Sequence, residues 1–188
     1  MEFDEKIHTH LMSVWRESKS FFGVGGKEGM LLLTDNHLIF LKRTERMKKW
    51  WGAASKRQIV TLLQNKNTMT EKLDGYEEKD LEIDLEEVKK KYISKITFDN
   101  ILEIGEEEKT WGSVLSIKAI EDGKEKKYDF SIVQDWVKYP IKDPTKYLSI
   151  DWKPCIEFIK SKFIGQFLYI SLYIHSFSSI INSITPQS

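Results

Sequence analysis

Two uninterrupted apolar runs near the start of the chain are separated by a short polar break. Residues 30–33 and 38–41 contain only leucine, isoleucine, phenylalanine and methionine, and Asp35-Asn36 lies between them. Because Asp and Asn tolerate positive φ, the break predicts a hairpin with a type I′ turn, in which Leu33 pairs with Leu38. Side chains alternate across a strand, and both sets here are apolar. We therefore expect both faces of this hairpin to be covered.

A second hairpin pattern has one apolar and one polar face. Val114 to Ile120 and Glu125 to Val133 flank Asp122-Gly123, a pair that strongly favours a two-residue turn. The apolar positions on one face are Leu115, Ile117, Tyr128, Phe130 and Ile132, and the polar positions on the other are Ser116, Lys118, Lys127, Asp129 and Ser131. This alternation predicts one face against the core and one in water. With short strands near residues 96–104, we expect at least five strands, mostly antiparallel.

A helix is predicted after the strands. Its apolar residues recur at spacings of three and four and form one stripe: Trp152, Cys155, Ile156, Ile159 and Phe163. Either Ser149 or Asp151 is suited to cap this helix. Because Cys155 lies on the apolar stripe, we expect a small core residue there and not a nucleophile.

Composition narrows the class of protein. The 188 residues carry 29 Lys+Arg and 29 Asp+Glu, and 40% of them are hydrophobic, which is typical of one globular domain. One cysteine and four histidines exclude a disulfide framework and leave little material for a metal site. The charged start, Met1 to Lys6, lacks the apolar run of a secretory signal, so we expect a cytoplasmic protein.

The zero net charge conceals two segments of opposite sign. Residues 42–57 contain seven cations and a single carboxylate, Glu45, whereas residues 71–87 contain nine carboxylates and two lysines. These segments interrupt the β-rich pattern, and Thr44 is suited to cap a helix that begins within the basic one.

Residues 29–40 run from a glycine through an apolar strand to Leu-Thr-Asp and then to a Leu-Ile-Phe return. Residues 96–101 form a short strand that ends in an aspartate and an isoleucine. Together with the Asp122-Gly123 hairpin and the terminal helix, these segments resemble the pleckstrin-homology-like superfold, and within it the GRAM and bacterial PH-like families. The resemblance covers about residues 12–43 and 93–163.

The resemblance implies an α+β fold in which a bent antiparallel sheet forms a partly open barrel capped by the C-terminal helix. Residues 1–162 would make up this domain, with a helical charged insertion at 44–92 and an uncharged apolar tail at 163–188. The resemblance does not imply a particular ligand, because proteins of this superfold recognise lipids, peptides and proteins alike.

The basic part of the insertion is the candidate binding site. It interleaves cations with two adjacent tryptophans, a composition suited to anionic lipid headgroups at a membrane surface. The candidate residues are Lys42, Arg43, Arg46, Lys48, Lys49, Trp50, Trp51, Lys56 and Arg57. Two other interpretations remain open: a surface that packs on the acidic segment or docks a protein partner, and a nucleic-acid-binding module. The neutral overall charge argues against nucleic acid.

Catalytic interpretations find little support in the sequence. The runs of glutamate are typical of solvated surface, His8 and His10 have no further metal-ligating residue nearby, and the glycines at 23–26 precede a strand and not a helix. We therefore predict a non-catalytic binding module without a metal or another cofactor.

The last segment is apolar and uncharged. Residues 163–184 contain thirteen apolar side chains and no charge, and Lys160 and Lys162 precede them. The length suits a membrane anchor, whereas the serines and amides within it favour packing against protein. Three interpretations stay open: a tail anchor at a cytoplasmic membrane face, a contact in a homo-oligomer, and packing within the domain.

Overall fold

The structure is a computed structural model that describes residues 5–20, 23–65, 67–70, 72–89, 93–136 and 144–162. These residues form eight β-strands and three α-helices, which confirms the α+β class. In chain order they are β1 Thr9–Ser20, β2 Gly23–Leu33, β3 His37–Lys42, α1 Glu45–Asn65, α2 Glu78–Glu87, β4 Ile93–Thr97, β5 Ile101–Lys109, β6 Gly112–Glu121, β7 Lys124–Trp136, β8 Pro144–Tyr147 and α3 at 153–162.

Seven strands form one open antiparallel sheet in the order β4-β3-β2-β1-β7-β6-β5, and β8 pairs with β7. Strand β1 joins the two halves, because it pairs with β2 on one side and with β7 on the other. Ser13, with a φ of 51°, lies at a β-bulge in β1 between Leu11 and Val14. A bulge bends the strand that carries it, and this one lies where β1 begins to pair with β7.

The first hairpin has the predicted register, and both of its faces are covered. Leu33 pairs with Leu38 and Leu31 with Phe40, and these four side chains lie in the inner cluster beneath α3. The alternate residues Met30, Leu32, Ile39 and Leu41 lie in an outer cluster beneath α1 and α2. All eight side chains are fully buried, so the sheet separates two apolar cores.

The turn of this hairpin differs from the prediction. Among the described non-glycine residues only Ser13 and Asp122 have positive φ, so Asp35 and Asn36 do not form a type I′ turn. The hydroxyl of Thr34 accepts the N–H of His37 at 3.0 Å and donates to the Glu5 carboxylate at 2.5 Å. Side-chain hydrogen bonds from a distant part of the chain thus replace the expected backbone geometry.

The second hairpin follows the prediction more closely. Asp122 and Gly123 have φ values of 52° and 72°, as a type I′ turn requires, and Glu121 pairs with Lys124. Its apolar face lies in the inner cluster, as expected. The expectation of a solvated polar face is wrong for Asp129 and Ser131, which are buried. Ser131 lies opposite Trp15 of β1, so that part of β7 is interior to the sheet.

Helix α3 covers the inner cluster. Trp152, Cys155, Ile156 and Ile159 are buried in it, as the apolar stripe predicted. Burial raises the pKa of the Cys155 thiol to about 12, which fits a core residue. Phe163 and the tail at 163–188 lie outside the described residues, and with them the three interpretations of the tail.

Candidate functional site

Helix α1 begins where Thr44 caps it. The Thr44 hydroxyl accepts the N–H of Met47 at 3.2 Å, as the sequence indicated. The helix is 21 residues long and ends at Asn65. The residues that face the sheet recur at spacings of three and four and are buried: Met47, Trp51, Ser55, Gln58 and Leu62.

Two polar side chains hold the sheet-facing side of α1 on the sheet. Gln58 accepts the backbone N–H of Met12 through Oε1 at 2.7 Å and donates to the Met12 carbonyl through Nε2 at 3.0 Å. The Trp51 indole N–H donates to the Glu28 carboxylate at 3.2 Å, and Arg43 pairs with the same carboxylate at 3.4 Å. These directional bonds set which face of the helix points outward.

A buried carboxylate joins α1 to α2. Asp84 is fully buried and accepts hydrogen bonds from Thr44 and from the Tyr76 hydroxyl, each at 2.9 Å. Arg46 donates to Asp84 at 2.6 Å and to Asp80 at 2.5 Å. Hydrogen bonding to Asp84 raises the pKa of Arg46 above its usual value. Burial, reinforced by the Asp84 charge, raises the pKa of Tyr76. Arg46 therefore holds two helices together.

Five of the nine candidate residues lie against the protein. Trp51 is only 3% exposed, because the apolar outer face of the sheet accommodates its ring. Trp50 is half-buried, with its ring 6.0 Å from that of Tyr76. Lys42 and Arg43 are also half-buried, and the Arg43 guanidinium lies 5.7 Å from the centre of the Trp51 ring. With Arg46 engaged by α2, neither Arg46 nor the Trp51 indole is placed to meet a membrane.

The other four candidates point outward. Lys49 and Lys56 are exposed on the side of α1 away from the sheet, and Lys48 and Arg57 are exposed on its two flanks. Val60 and Leu63 continue this side, with 54% and 51% of their surface exposed. We call these four cations and two aliphatic residues the basic face. Lys48 also pairs with Glu45 of the preceding turn at 2.5 Å, where solvent weakens the interaction.

The acidic segment meets the basic one at Arg46. Asp80 and Asp84 bind Arg46, as the interpretation of two facing segments expects. Within the described residues, however, none of the four cations of the basic face pairs with a carboxylate of α2. Glu77, Glu86 and Glu87 are instead exposed. Helix α2 therefore packs on the first turn of α1, at Thr44 and Arg46.

A groove runs beside the basic face, between α1 and residues 72–76. It contains two adjoining cavities of about 200 and 310 Å³, and Arg57 and Asp74 line both. His10 and Lys72 line the smaller cavity, and Trp50 and Tyr76 line the larger one. We call this feature the α1 groove. Sequence reasoning missed it, because its walls come from β1, α1 and a loop about sixty residues after β1 begins.

A wider cleft of about 830 Å³ lies between β1, β4, β7 and the end of α2. Arg16 enters it from β1, donates to the Ser94 hydroxyl and lies 4.7 Å over the Phe40 ring. Burial lowers the pKa of Arg16. The charged residues that line the cleft are balanced: Arg16, Lys95 and Lys126 against Glu17, Glu121 and Asp122. This balance favours neither an anionic nor a cationic ligand. The sequence feature that points to this cleft is Arg16, a single cation directly after Val14 and Trp15.

The two N-terminal histidines occupy different environments. His8 pairs with Asp35 at 2.7 Å and packs on Phe158 of α3, whereas His10 packs edge-on against Tyr76 of the insertion. Over the ranges that the structure describes, no three His, Cys, Asp or Glu side chains come together as metal ligands. Over the same ranges, no helix is long and apolar enough to cross a membrane.

Comparisons with protein-family models, with curated proteins and with solved structures find no match to this chain. Its function is therefore argued from the geometry of the basic face and the α1 groove.

Proposed function

We propose that the protein is a non-catalytic binding module with a PH-like fold, and that the basic face of α1 docks on an anionic membrane surface. The carrying observation is that Lys49, Lys56 and their neighbours are exposed on one side of a helix whose other side is held on the sheet. The antiparallel sheet, its bend at the β1 bulge and the helix that covers it support the PH-like assignment.

The chemistry of the basic face suits a lipid surface. A Lys or Arg close to anionic headgroups contributes about 1 kcal/mol, so four cations give reversible attachment. Val60 and Leu63 are exposed on the same side, where aliphatic groups can enter the boundary between headgroups and acyl chains. This combination of cations and exposed aliphatic side chains favours a membrane over an acidic protein partner or nucleic acid.

The helix is ordered before it binds. Gln58, Trp51 and Arg46 fix its position and rotation through one buried and two partly buried hydrogen bonds. A preorganised surface loses less conformational entropy on association than a segment that folds on binding. The proposed site of action is the cytoplasmic face of a membrane, and the nearby α2 carboxylates would repel a surface approaching from their own side.

Co-sedimentation of the full chain with vesicles tests this function. We expect binding to vesicles that contain phosphatidylserine and none to pure phosphatidylcholine, with binding that weakens as salt rises because the charges are exposed. Binding to neither vesicle would contradict the proposal. Salt-sensitive binding to single-stranded DNA in place of vesicles would instead support the nucleic-acid alternative.

A further inference from the structure

Arg16 is a partly buried cation without a counter-charge. It lies on the inner side of β1, two residues after Val14 of the inner cluster. Its guanidinium is 4.7 Å from the centre of the Phe40 ring, and Nη1 donates to the Ser94 hydroxyl. Among the described residues, no carboxylate forms an ion pair with Arg16, and its Nε and Nη2 atoms have no hydrogen-bond partner. Burying a charge without a counter-charge is unfavourable, so an anion bound at this position would stabilise the protein.

A ligand can reach Arg16 through the wide cleft that it lines. This cleft has a volume of about 830 Å³ and is open to solvent between β1, the start of β4 and the start of β7. Arg16 is only partly buried, so part of its surface stays accessible from the cleft. A volume of several hundred Å³ is typical of sites that bind small molecules. The cleft therefore offers both the space and the access that a ligand of Arg16 requires.

The other charged groups on the inner side of the cleft pair with one another. Glu121 accepts hydrogen bonds from the Tyr128 hydroxyl and from Lys126, each at 2.6 Å. Burial, reinforced by the hydrogen bond to Glu121, raises the pKa of Tyr128, so the phenol keeps the proton that it donates. Lys126 also lies 3.6 Å from the Asp122 carboxylate. These groups are therefore neutralised within the protein.

The sign of the ligand follows from the charge that is left. Glu17 and Lys95 also line the cleft, but they follow Arg16 and Ser94 on their strands and so alternate to the opposite face. Although the charges of the cleft balance in number, the guanidinium of Arg16 is thus the charge that an anion can complete. The nearby Glu121 charge repels a doubly charged anion more strongly than a singly charged one. A guanidinium also matches the two oxygens of a carboxylate in geometry.

We propose that this cleft binds a carboxylate group, whose two oxygens accept hydrogen bonds from Nε and Nη2 of Arg16. The cleft is far larger than one carboxylate, so the ligand carries this group on a larger body. A small carboxylic acid and an acidic side chain of a peptide offer the same chemistry. Of the lining residues that the structure describes, none belongs to the basic face, so this inference goes beyond membrane docking and does not depend on it.

The test is an NMR titration of the full chain, labelled with ¹³C and ¹⁵N, at pH 7 and constant ionic strength. One arm uses propionate, and the other uses the tripeptide acetyl-Ala-Glu-Ala-amide. We expect a saturable shift of the Arg16 Nε resonance in at least one arm. Saturation at a concentration about tenfold lower with the peptide identifies an acidic side chain, and any other order identifies a free carboxylic acid. No shift of Arg16 in either arm would overturn the proposal.

Two further probes test the chemical class of the ligand. The tripeptide acetyl-Ala-Gln-Ala-amide has the same shape without the charge, and it should not shift the Arg16 Nε resonance. Inorganic phosphate should require a higher concentration than the better carboxylate probe, because Glu121 repels its second charge. An equal response to the glutamine peptide, or saturation by phosphate at a lower concentration, would contradict a carboxylate site.

Two conservative variants locate the site within the molecule. Arg16→Lys keeps the cation but loses the forked donor, so the carboxylate should bind about tenfold or more weakly, measured by the backbone amide shift of Ser94. Arg43→Lys makes the same change at a half-buried arginine outside the cleft, which already pairs with Glu28, and should leave the affinity unchanged. Unchanged melting temperatures would show that both variants fold. Equal affinities of the two variants would contradict the site, and the titration of the parent chain tests it without any variant.

Discussion

Gln58 of α1 makes both hydrogen bonds of a strand partner to Met12 of β1. Its amide accepts the Met12 N–H at 2.7 Å and donates to the Met12 carbonyl at 3.0 Å, and all of these groups are buried. Met12 lies next to the β-bulge, where the pairing with β2 shifts register and leaves its backbone without a strand partner. The insertion therefore completes the hydrogen bonding of the sheet that it covers.

Replacing Gln58 by methionine tests this relationship. Gln58→Met keeps the size of the side chain and leaves two buried backbone groups unsatisfied, at about 1–3 kcal/mol each. We expect a loss of about 2–6 kcal/mol in the free energy of unfolding, measured by urea denaturation. Gln64→Met, at an exposed position of the same helix, should change it by less than about 0.5 kcal/mol. Equal effects would show that the Gln58 amide contributes nothing specific.

Two glycines should respond in opposite ways to alanine. Gly52 lies in the exposed middle of α1, and a Cβ there meets nothing within 4 Å. Gly52→Ala should stabilise the protein by about 0.5–1 kcal/mol through helix propensity. At Gly29 a Cβ would lie 2.3 Å from the Leu41 carbonyl oxygen, so Gly29→Ala must displace β3 and should lower the melting temperature. A gain in stability from Gly29→Ala would contradict the observed packing of β2 on β3.

Stability should fall between neutral and mildly acidic pH because of His10. Its pKa is about 4 in the folded protein, against the ordinary 6.5, so the unfolded chain binds the extra proton across this interval. The resulting stabilisation is present above pH 6.5 and is lost as the pH falls towards 4. By linkage this amounts to about 2 kcal/mol less stability at pH 5 than at pH 7.

Urea denaturation at the two pH values, repeated on His10→Phe, isolates this contribution. Phenylalanine at position 10 does not titrate. In the variant, the difference in the free energy of unfolding between pH 7 and pH 5 should therefore be smaller by about 2 kcal/mol. Glu5 and Asp35 have pKa values below their usual ones, and their contributions are lost at lower pH. An unchanged pH dependence in His10→Phe would refute the assignment to His10.

The register of both hairpins was predictable because it depends on residues that are close together in the sequence. Alternation sets the face of each side chain, and Asp122-Gly123 set the turn, so the pairing of Glu121 with Lys124 followed from neighbouring residues. The turn at Asp35-Asn36 was wrong for the opposite reason. Glu5 and Thr34 determine it, and they meet only after folding. The sequence of a turn predicts its type where no side chain from a distant part of the chain forms hydrogen bonds with it.

The candidate site was predictable only as a segment. Adjacent tryptophans at 50 and 51 point about 100° apart on a helix, and counting apolar residues does not show which of them faces the sheet. The buried face of α1 includes the polar residues Ser55 and Gln58. The pattern of apolar residues alone therefore does not identify which face of the helix is buried. Arg46 was likewise assigned to the surface, because its partner Asp84 lies thirty-eight residues away in sequence.

The central claim is that the basic face of α1 meets an anionic membrane. The most direct test compares two charge-reversal variants by co-sedimentation with phosphatidylserine-containing vesicles over a range of salt concentrations. The first variant, Lys49→Glu with Lys56→Glu, changes the basic face. The second, Lys124→Glu with Lys153→Glu, makes the same change of net charge at two exposed positions, the first residue of β7 and the first residue of α3.

The first variant should bind these vesicles at least about tenfold more weakly than the parent chain, since each cation near the surface contributes about 1 kcal/mol. The second variant should bind nearly as the parent does, because its charges lie away from the contact and are screened within about 8 Å at physiological salt. Both proteins should remain folded, as judged by unchanged melting temperatures. Equal losses in the two variants, or no loss in the first, would contradict the claim.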